Sequence, residues 1–201
     1  MKTLLIASSN PGKLHEFQAI LQDLGANLLL PADIGVTLQV EEDGRDYYEN
    51  ALKKAQAYCK ASGLITLADD SGLEVDALDG APGLHSARYS PKPGATDADR
   101  RAYLLQKLAK YPQPWLAHFH CTLVVALPDG DHYTYRGNCY GEITQEERGN
   151  QGFGYDPIFL VDRREKTMAE LPEYEKNRIS HRGIATLAAL PTLKKLLDLE
   201  R

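Results

Sequence analysis

Four short segments of the chain carry residue types and spacings suited to chemistry on a phosphorylated ligand. The first is Ser8-Ser9-Asn10-Pro11-Gly12-Lys13. Small hydroxyls at the end of an apolar run, followed by a helix start, aim backbone N–H groups and the positive end of a helix dipole at one point. Lys13 adds a full charge there, which suits a triphosphate. The segment is not a Walker A loop, because Ala7 stands where that loop needs its first glycine and Leu14 where it needs a metal-binding hydroxyl. The same residues also read as an ordinary capped helix with a surface lysine.

The second segment is Asp69-Asp70-Ser71-Gly72, placed at the end of the apolar run Leu64 to Ala68. Ligand sites in α/β sheets gather at the carboxyl ends of strands, and adjacent carboxylates there suit a hard cation such as Mg²⁺ held jointly with substrate phosphates. Glu41-Glu42 follows another expected strand, Leu38 to Val40, and is a source of a further carboxylate. The competing reading is an acidic turn solvated at the sheet edge.

The third segment, Gly152-Phe153-Gly154-Tyr155-Asp156-Pro157, interleaves glycines with aromatic rings. Such a loop can press flat rings on a nucleobase, a contact worth ~1–3 kcal/mol per base; it is also what a turn looks like when its Phe and Tyr plug the core. The fourth, Ser180-His181-Arg182-Gly183, opens the last helix, where Ser180 can serve simply as a cap. With Lys176 and Arg178 it concentrates cations in one stretch. Other candidates fail. No G-x-S-x-G elbow surrounds Ser71, His118 and His120 lack a third ligand, and Cys121 falls on an apolar strand face.

The elements that must position these segments are legible from pattern. Thr3 to Ala7 reads as a buried strand, followed by a helix capped by Asn10 with Pro11 in its first turn and Gly25 as its stop. Ala26 to Leu30 is a further strand, Asp46 to Ser62 a helix ended by Gly63, and Thr96 with Asp99 a capping box for a helix reaching about Lys110. Trp115 to Leu127 alternates, and Pro128-Asp129-Gly130 turns it into His132 to Ile143, a long antiparallel hairpin. A polar loop from Thr144 to Pro157, a short strand at Ile158-Phe159-Leu160 and helices from Pro172 complete the chain. Parallel strand–helix units joined to a hairpin predict a mixed α/β sheet.

Composition bounds the partners. The 201 residues hold 23 Lys and Arg against 28 Asp and Glu, a net charge of −5. That excludes a general nucleic-acid binder, which needs a basic face to displace counterions, but not a pocket for one small phosphate compound. Three cysteines, Cys59, Cys121 and Cys139, form no C-x-x-C pair and fit a reducing compartment. No apolar run approaches the ~20 residues of a membrane span, and Ser8 to Lys13 interrupts the N-terminal apolar stretch too early for a signal peptide. The expectation is a cytoplasmic protein of one domain, residues 1–201, without a membrane or nucleic-acid partner.

Taken in order, the Ser8–Lys13, Asp69–Leu73, Phe153–Pro157 and Ser180–Gly183 segments resemble the signature series of the inosine triphosphate pyrophosphatase family, also called dITP/XTP pyrophosphatases. Glu49-Asn50-Ala51 with Lys54-Ala55, Ala81-Pro82-Gly83 with Ser86-Ala87-Arg88-Tyr89, and Phe119-His120-Cys121 resemble family segments too. The resemblance covers essentially the whole chain. It implies hydrolysis of purine nucleoside triphosphates with a 6-oxo base (ITP, dITP, XTP) to monophosphate and pyrophosphate with Mg²⁺. Carried over, Ser8, Ser9, Asn10, Pro11, Gly12 and Lys13 cradle the triphosphate and Lys54 reaches it from the second helix. Glu41 and Asp70 hold Mg²⁺, Asp70 is the proton acceptor and Ser71 touches substrate. Phe153, Gly154, Tyr155, Asp156, Lys176, His181 and Arg182 surround the base, with donors from His181 or Arg182 facing its 6-oxo group. The implied fold is α/β, a mixed, elongated, twisted sheet flanked by helices, in two lobes with the active-site cleft between them, assembled as a homodimer. Two alternatives stand beside this reading: a Maf-like pyrophosphatase, against which Ser180-His181-Arg182 argues, and a nucleotide sensor without turnover, against which the Asp69-Asp70 pair argues.

Overall fold

Thr3–Ile6 forms β1, whose Leu4, Leu5 and Ile6 have no solvent exposure. The computed structural model to which this strand belongs describes residues 2–199. A strand covered on both faces reads as a continuous apolar run, and β1 pairs in parallel with β2 (Asn27–Leu29) and with β3 (Thr66–Val75). The hairpin strands β4 (Trp115–Ala126) and β5 (His132–Ile143) follow, joined by a tight turn in which Leu127 and Gly130 are hydrogen-bonded. The last strand, β6 (Phe159–Val161), pairs antiparallel with β5. Strand order is β2-β1-β3-β4-β5-β6, the mixed α/β sheet expected from the pattern.

Local signals set the helix limits. In α1 (Pro11–Leu21) the Asn10 side chain accepts from the N–H groups of Gly12 and Lys13, and Pro11 takes the first position, where a missing donor costs nothing. Helix α2 (Tyr47–Ser62) is capped by Asp46 and closed by Gly63 at φ 68°, where a side chain would be strained. Thr96 and Asp99 bond reciprocally at the start of α3 (Asp97–Leu108). Two more helices follow, α4 (Glu173–Ile179) and α5 (His181–Leu196). None of the helices among the described residues is long and apolar enough to cross a membrane.

The chain divides into two compact units. The first takes the residues up to Asp70, Cys121–Gly137 and the chain from Arg182 on; the second takes Ser71–His120 and Asn138–His181. In the first, the sheet has a core on each side. Leu4, Ile6, Phe17, Leu21, Leu67 and Cys121 pack with Ala185, Ala189 and Leu193 of α5, while Ala7, Ala68, Val124 and Ala126 pack against Ala51, Ala55 and Cys59 of α2. Complete burial of a side chain such as Phe17 contributes ~1.5–3 kcal/mol. The second unit has its own core, including Leu73, Leu104, Trp115, Phe119, Tyr155 and Phe159.

Two sequence expectations fail here. Leu38 to Val40 is not a strand; Leu38 is exposed and its carbonyl accepts from the Tyr58 hydroxyl, so a side chain of α2 rather than a neighbouring strand satisfies the backbone. Asp69 and Asp70 do not follow a strand that ends at Ala68. They lie in the middle of β3, which continues through Leu73 to Val75. Carboxylates suggest a turn because they ordinarily demand water, and this pair finds protein partners instead.

Candidate active site

Side chains alternate across a strand, so consecutive residues of β3 face different layers. Leu67 packs in the α1 and α5 layer and Ala68 in the α2 layer, and the next two residues continue the alternation. Asp69 meets Lys13 of α1 and Arg182 of α5. Asp70 meets Asn50 of α2.

On the first face, Lys13 Nζ is 3.0 Å from Asp69 Oδ2, and Arg182 approaches the same oxygen with Nε at 3.2 Å and Nη2 at 3.1 Å. The remaining terminal nitrogen of Arg182 donates to Glu16, and its guanidinium stands 5.8 Å from the centre of the Phe17 ring. Asp69 and Arg182 are each 1 % exposed. Burial by itself would raise the Asp69 carboxyl, but Lys13, Arg182 and Lys54 overcome it and hold the group well below the usual carboxylate range. Asp69 is therefore a fixed anion that neutralises two cations, and proton transfer is not its task. Cys121 donates its thiol to the same carboxylate, and burial pushes that thiol up, so it stays protonated.

On the other face, Asn50 is buried and fully directed. Its Oδ1 accepts from Gly44 N–H at 2.8 Å, which turns Nδ2 toward Asp70 Oδ2 at 2.9 Å. Gly44 has to be glycine, since a Cβ there would come within 2.6 Å of Asn50 Oδ1. This contact seats the end of the acidic loop beside α2, and Glu42 Oε1 lies 2.5 Å from Lys54 Nζ. Burial raises Asp70 above the usual range; Lys54 and Lys13 offset only part of that, and Glu42 adds to it. For Lys54, burial acts downward, yet Asp69, Asp70 and Glu42 together raise it, so it remains charged. The result is a buried carboxylate of increased basicity beside an ammonium, with a second carboxylate in the same electrostatic neighbourhood.

In the second unit, the Gly152–Asp156 loop is organised by polar bonds. Asp156 Oδ2 accepts from Phe153 N–H at 2.9 Å and pairs with Lys176 Nζ at 2.5 Å. Lys176 Nζ also lies 5.2 Å from the centre of the Phe153 ring. Gly152, at φ 73°, has no room for a side chain, whose Cβ would come 2.0 Å from Asp156 Oδ2. His181 stacks on Phe119 with ring centres 4.7 Å apart.

The expected site residues separate on this geometry. Ser8, Ser9 and Pro11 surround Asn10 at the start of α1; the amides of Gly12 and Lys13 serve Asn10, and the side chain of Lys13 adds a positive charge to the hydroxyls of Ser8 and Ser9. Lys54 and Asp70 act on each other electrostatically, and Ser71 follows Asp70 on β3, half-buried. Glu41 and Glu42 are both exposed, and Glu42 pairs with Lys54. Tyr155 does not present a free ring: it is 4 % exposed within the core, with its hydroxyl donating to Ser86 O at 2.9 Å. Phe153 is the half-buried ring of the loop. The guanidinium of Arg182 faces Asp69 and Glu16. Sequence reasoning gave no role to Glu16 or Asn50. The available signal was a polar residue on a helix face otherwise built for the core, beside Phe17 in one case and beside Ala51 in the other.

Asp70 and Glu42 fit a hard divalent cation in kind, since such an ion takes one or two carboxylates and completes its shell with water and phosphate oxygens. Burial disfavours the Asp70 anion and adjacent positive charge favours it, so a cation would relieve what Lys54 leaves uncompensated. Among the described residues, no group of three or more His, Cys, Asp or Glu is arranged for a metal held by protein alone.

Comparison with known proteins places these features in a wider set. Residues 4–192 match the Ham1 family. A dITP/XTP pyrophosphatase of Synechocystis sp. is 51 % identical over 187 residues, 92 % of each chain. One of Bacillus subtilis is 43 % identical over 198 residues, 98 % of each chain. Among solved structures, a HAM1 protein from Coxiella burnetii superposes with a TM-score of 0.84 at 41 % identity, covering 100 % of both chains.

Proposed function

The chain belongs to the Ham1 family, and from that premise we propose that it hydrolyses non-standard purine nucleoside triphosphates, dITP, ITP and XTP, to the monophosphate and pyrophosphate, cleansing the nucleotide pool. The observation that carries the reading is the divergence of two adjacent aspartates. Asp69 is paired through Oδ2 with Lys13 and Arg182 and held low, whereas Asp70 is buried, raised and oriented by Asn50.

Attack of water on the α-phosphorus with pyrophosphate leaving requires charge neutralisation, an in-line nucleophile and a proton acceptor. Lys13 and Lys54 supply positive charge to the phosphates, and Ser8 to Gly12 and Ser71 supply polar contacts. Asp70 is the acceptor: a carboxylate raised by burial takes a proton from water more readily than an ordinary one. Asn50 holds its orientation, and Asp69 holds the head of Lys13. Asp70 with Glu41 or its neighbour Glu42 would hold Mg²⁺, which would supply neutralisation of the phosphate charge.

In the second unit we assign base contact to Phe153, Gly154, Asp156, Lys176 and His181, with Tyr155 acting from the core. Arg182 is assigned to the base as well, with a guanidinium that also donates to Asp69 and Glu16. A donor aimed at a 6-oxo group is left unpaired by the 6-amino group of ATP, and such mismatches discriminate by ~10⁴ or more. The assembly we assign is a homodimer in the cytoplasm, and analytical ultracentrifugation at micromolar concentration tests the dimer. The function is tested by pyrophosphate release from dITP, XTP, ITP, GTP, ATP and TTP, with Mg²⁺ and with chelator. Preference for the first three, lost on chelation, supports it; pyrophosphate from all six at similar rates, or from none, overturns it.

A further inference from the structure

The segment from Thr144 to Tyr155 has neither helix nor strand, ends in a short 3-10 turn at Asp156–Ile158, and carries the Phe153 ring at its tip. A loop that long has many conformations unless neighbours restrict it. At this tip the restraint comes from one turn of α3. Asp97 Oδ2 accepts from Gly154 N–H at 2.8 Å, and Arg101 Nη1 donates to Gly154 O at 2.8 Å. Both polar atoms of one peptide residue are therefore held by opposite charges four residues apart, a spacing that puts them on the same helix face.

The clamp is itself braced. Arg101 makes a two-pronged pair with Glu147, Nε to Oε1 and Nη2 to Oε2 both at 2.8 Å, so one guanidinium ties the loop near its start and at its tip. Asp97 is braced on its other oxygen by Arg100. Burial would raise the Asp97 carboxyl, but the bonds from Arg100 and Gly154 hold it below the usual range, so the anion persists. On the far side of Gly154, the Tyr155 hydroxyl bonds Ser86 O, and Ser86 Oγ accepts from Leu73 N–H. Gly154 sits at φ 63°, a conformation that a free loop leaves easily and that two charge-assisted bonds hold in place.

We infer that Asp97 and Arg101 are positioning residues for base selection: by fixing the Gly154 peptide they set the plane of Phe153 against the purine, without touching substrate. This rests on the assignment of the Phe153 loop to the base. If it holds, loosening the clamp weakens capture and discrimination of the base and spares the phosphorus chemistry. The test is steady-state kinetics of the full-length enzyme with ITP and ATP for Arg101→Ala, Arg101→Lys, Asp97→Ala, Asp97→Asn and Phe153→Ala, with melting temperatures alongside. Arg101→Ala and Asp97→Ala are expected to raise KM for ITP tenfold or more, lower kcat less than threefold, and reduce the ITP-to-ATP preference at least tenfold. Arg101→Lys, which cannot serve Glu147 and Gly154 together, moves the same quantities less and covers the case of an alanine variant that does not fold. Asp97→Asn keeps an acceptor for Gly154 N–H and restores KM to within threefold. Unchanged KM and preference in Arg101→Ala and Asp97→Ala, while Phe153→Ala shifts both, overturn the clamp alone. Unchanged KM and preference in Phe153→Ala overturn the base assignment and the clamp with it. A fall in kcat at constant KM also overturns the clamp, since it places the effect on the chemistry.

Discussion

Asp69 and Asp70 are consecutive on β3 and face different layers, Asp69 toward Lys13 and Arg182, Asp70 toward Asn50. The alternation of a strand converts one dipeptide into two devices, an electrostatic anchor and a candidate base. Removing charge from the two should have different consequences. Asp70→Asn is expected to abolish turnover, leaving less than about a tenth of wild-type activity, a loss of at least ~1.4 kcal/mol, while the melting temperature barely moves. Asp69→Asn leaves Arg182 buried with less counter-charge and should cost ~3–5 kcal/mol of stability. Pyrophosphate-release rates and denaturant titrations of both variants check the contrast; similar stability losses in the two would refute it.

Lys13→Ala should weaken affinity for the triphosphate far more than for the inosine monophosphate product. The only charge that the start of α1 can direct to a phosphate chain is that ammonium, since the Gly12 and Lys13 amides serve Asn10. Calorimetric titration of both ligands measures the split, and equal losses would remove Lys13 from the phosphate contacts.

Arg182 is fully buried among Asp69, Glu16 and Phe17. Arg182→Ala removes the guanidinium that the buried carboxylates of Asp69 and Glu16 share, and a destabilisation of ~3–5 kcal/mol is expected. Chemical denaturation is the measurement; an unchanged midpoint with altered base preference would return Arg182 to the base alone.

Of the two exposed glutamates, Glu42, which pairs with Lys54, is expected to govern the metal requirement more than Glu41. Glu42→Gln should raise the Mg²⁺ concentration for half-maximal rate at least tenfold, and Glu41→Gln less than threefold. Titration of Mg²⁺ at saturating substrate decides between them, and the reverse order would move the ligand to Glu41.

Lys92, together with the Thr96 cap, holds the Asp99 carboxyl down to about 2. A carboxyl lowered on folding contributes stability that is complete above its unfolded value, ~3.9, and is lost as pH falls through the folded one. Asp99→Ala should therefore melt below the wild type at pH 6, with the gap closing between about pH 4 and pH 2. Melting curves across that range test the sign, and a gap that widens on acidification would contradict it.

Much of the scaffold was legible because its causes are local. Asn10 before Pro11, Asp46 and Gly63 on either side of sixteen helical residues, and Thr96 three before Asp99 define helix ends through bonds that span one turn. The alternation of Trp115 to Ala126 and the Pro128-Asp129-Gly130 turn specify a hairpin in the same way. The order of the four chemical segments, likewise, is a property of the chain and was sufficient to suggest the family.

Which charge meets which was not legible, because a carboxylate is stable in a strand only when distant cations arrive to offset its desolvation. Arg182 reaches Asp69 across 113 residues and Glu16 across 166. Without those partners, Asp69-Asp70-Ser71-Gly72 reads as a solvated turn; with them it continues as strand. The same holds for Tyr155 in the core while Phe153 stays half-buried, and for Glu42, which reaches Lys54 although it is exposed like Glu41. Neighbouring residues of like type are indistinguishable by pattern, and only the packing of remote elements, through burial and the charges it brings into range, assigned them different roles.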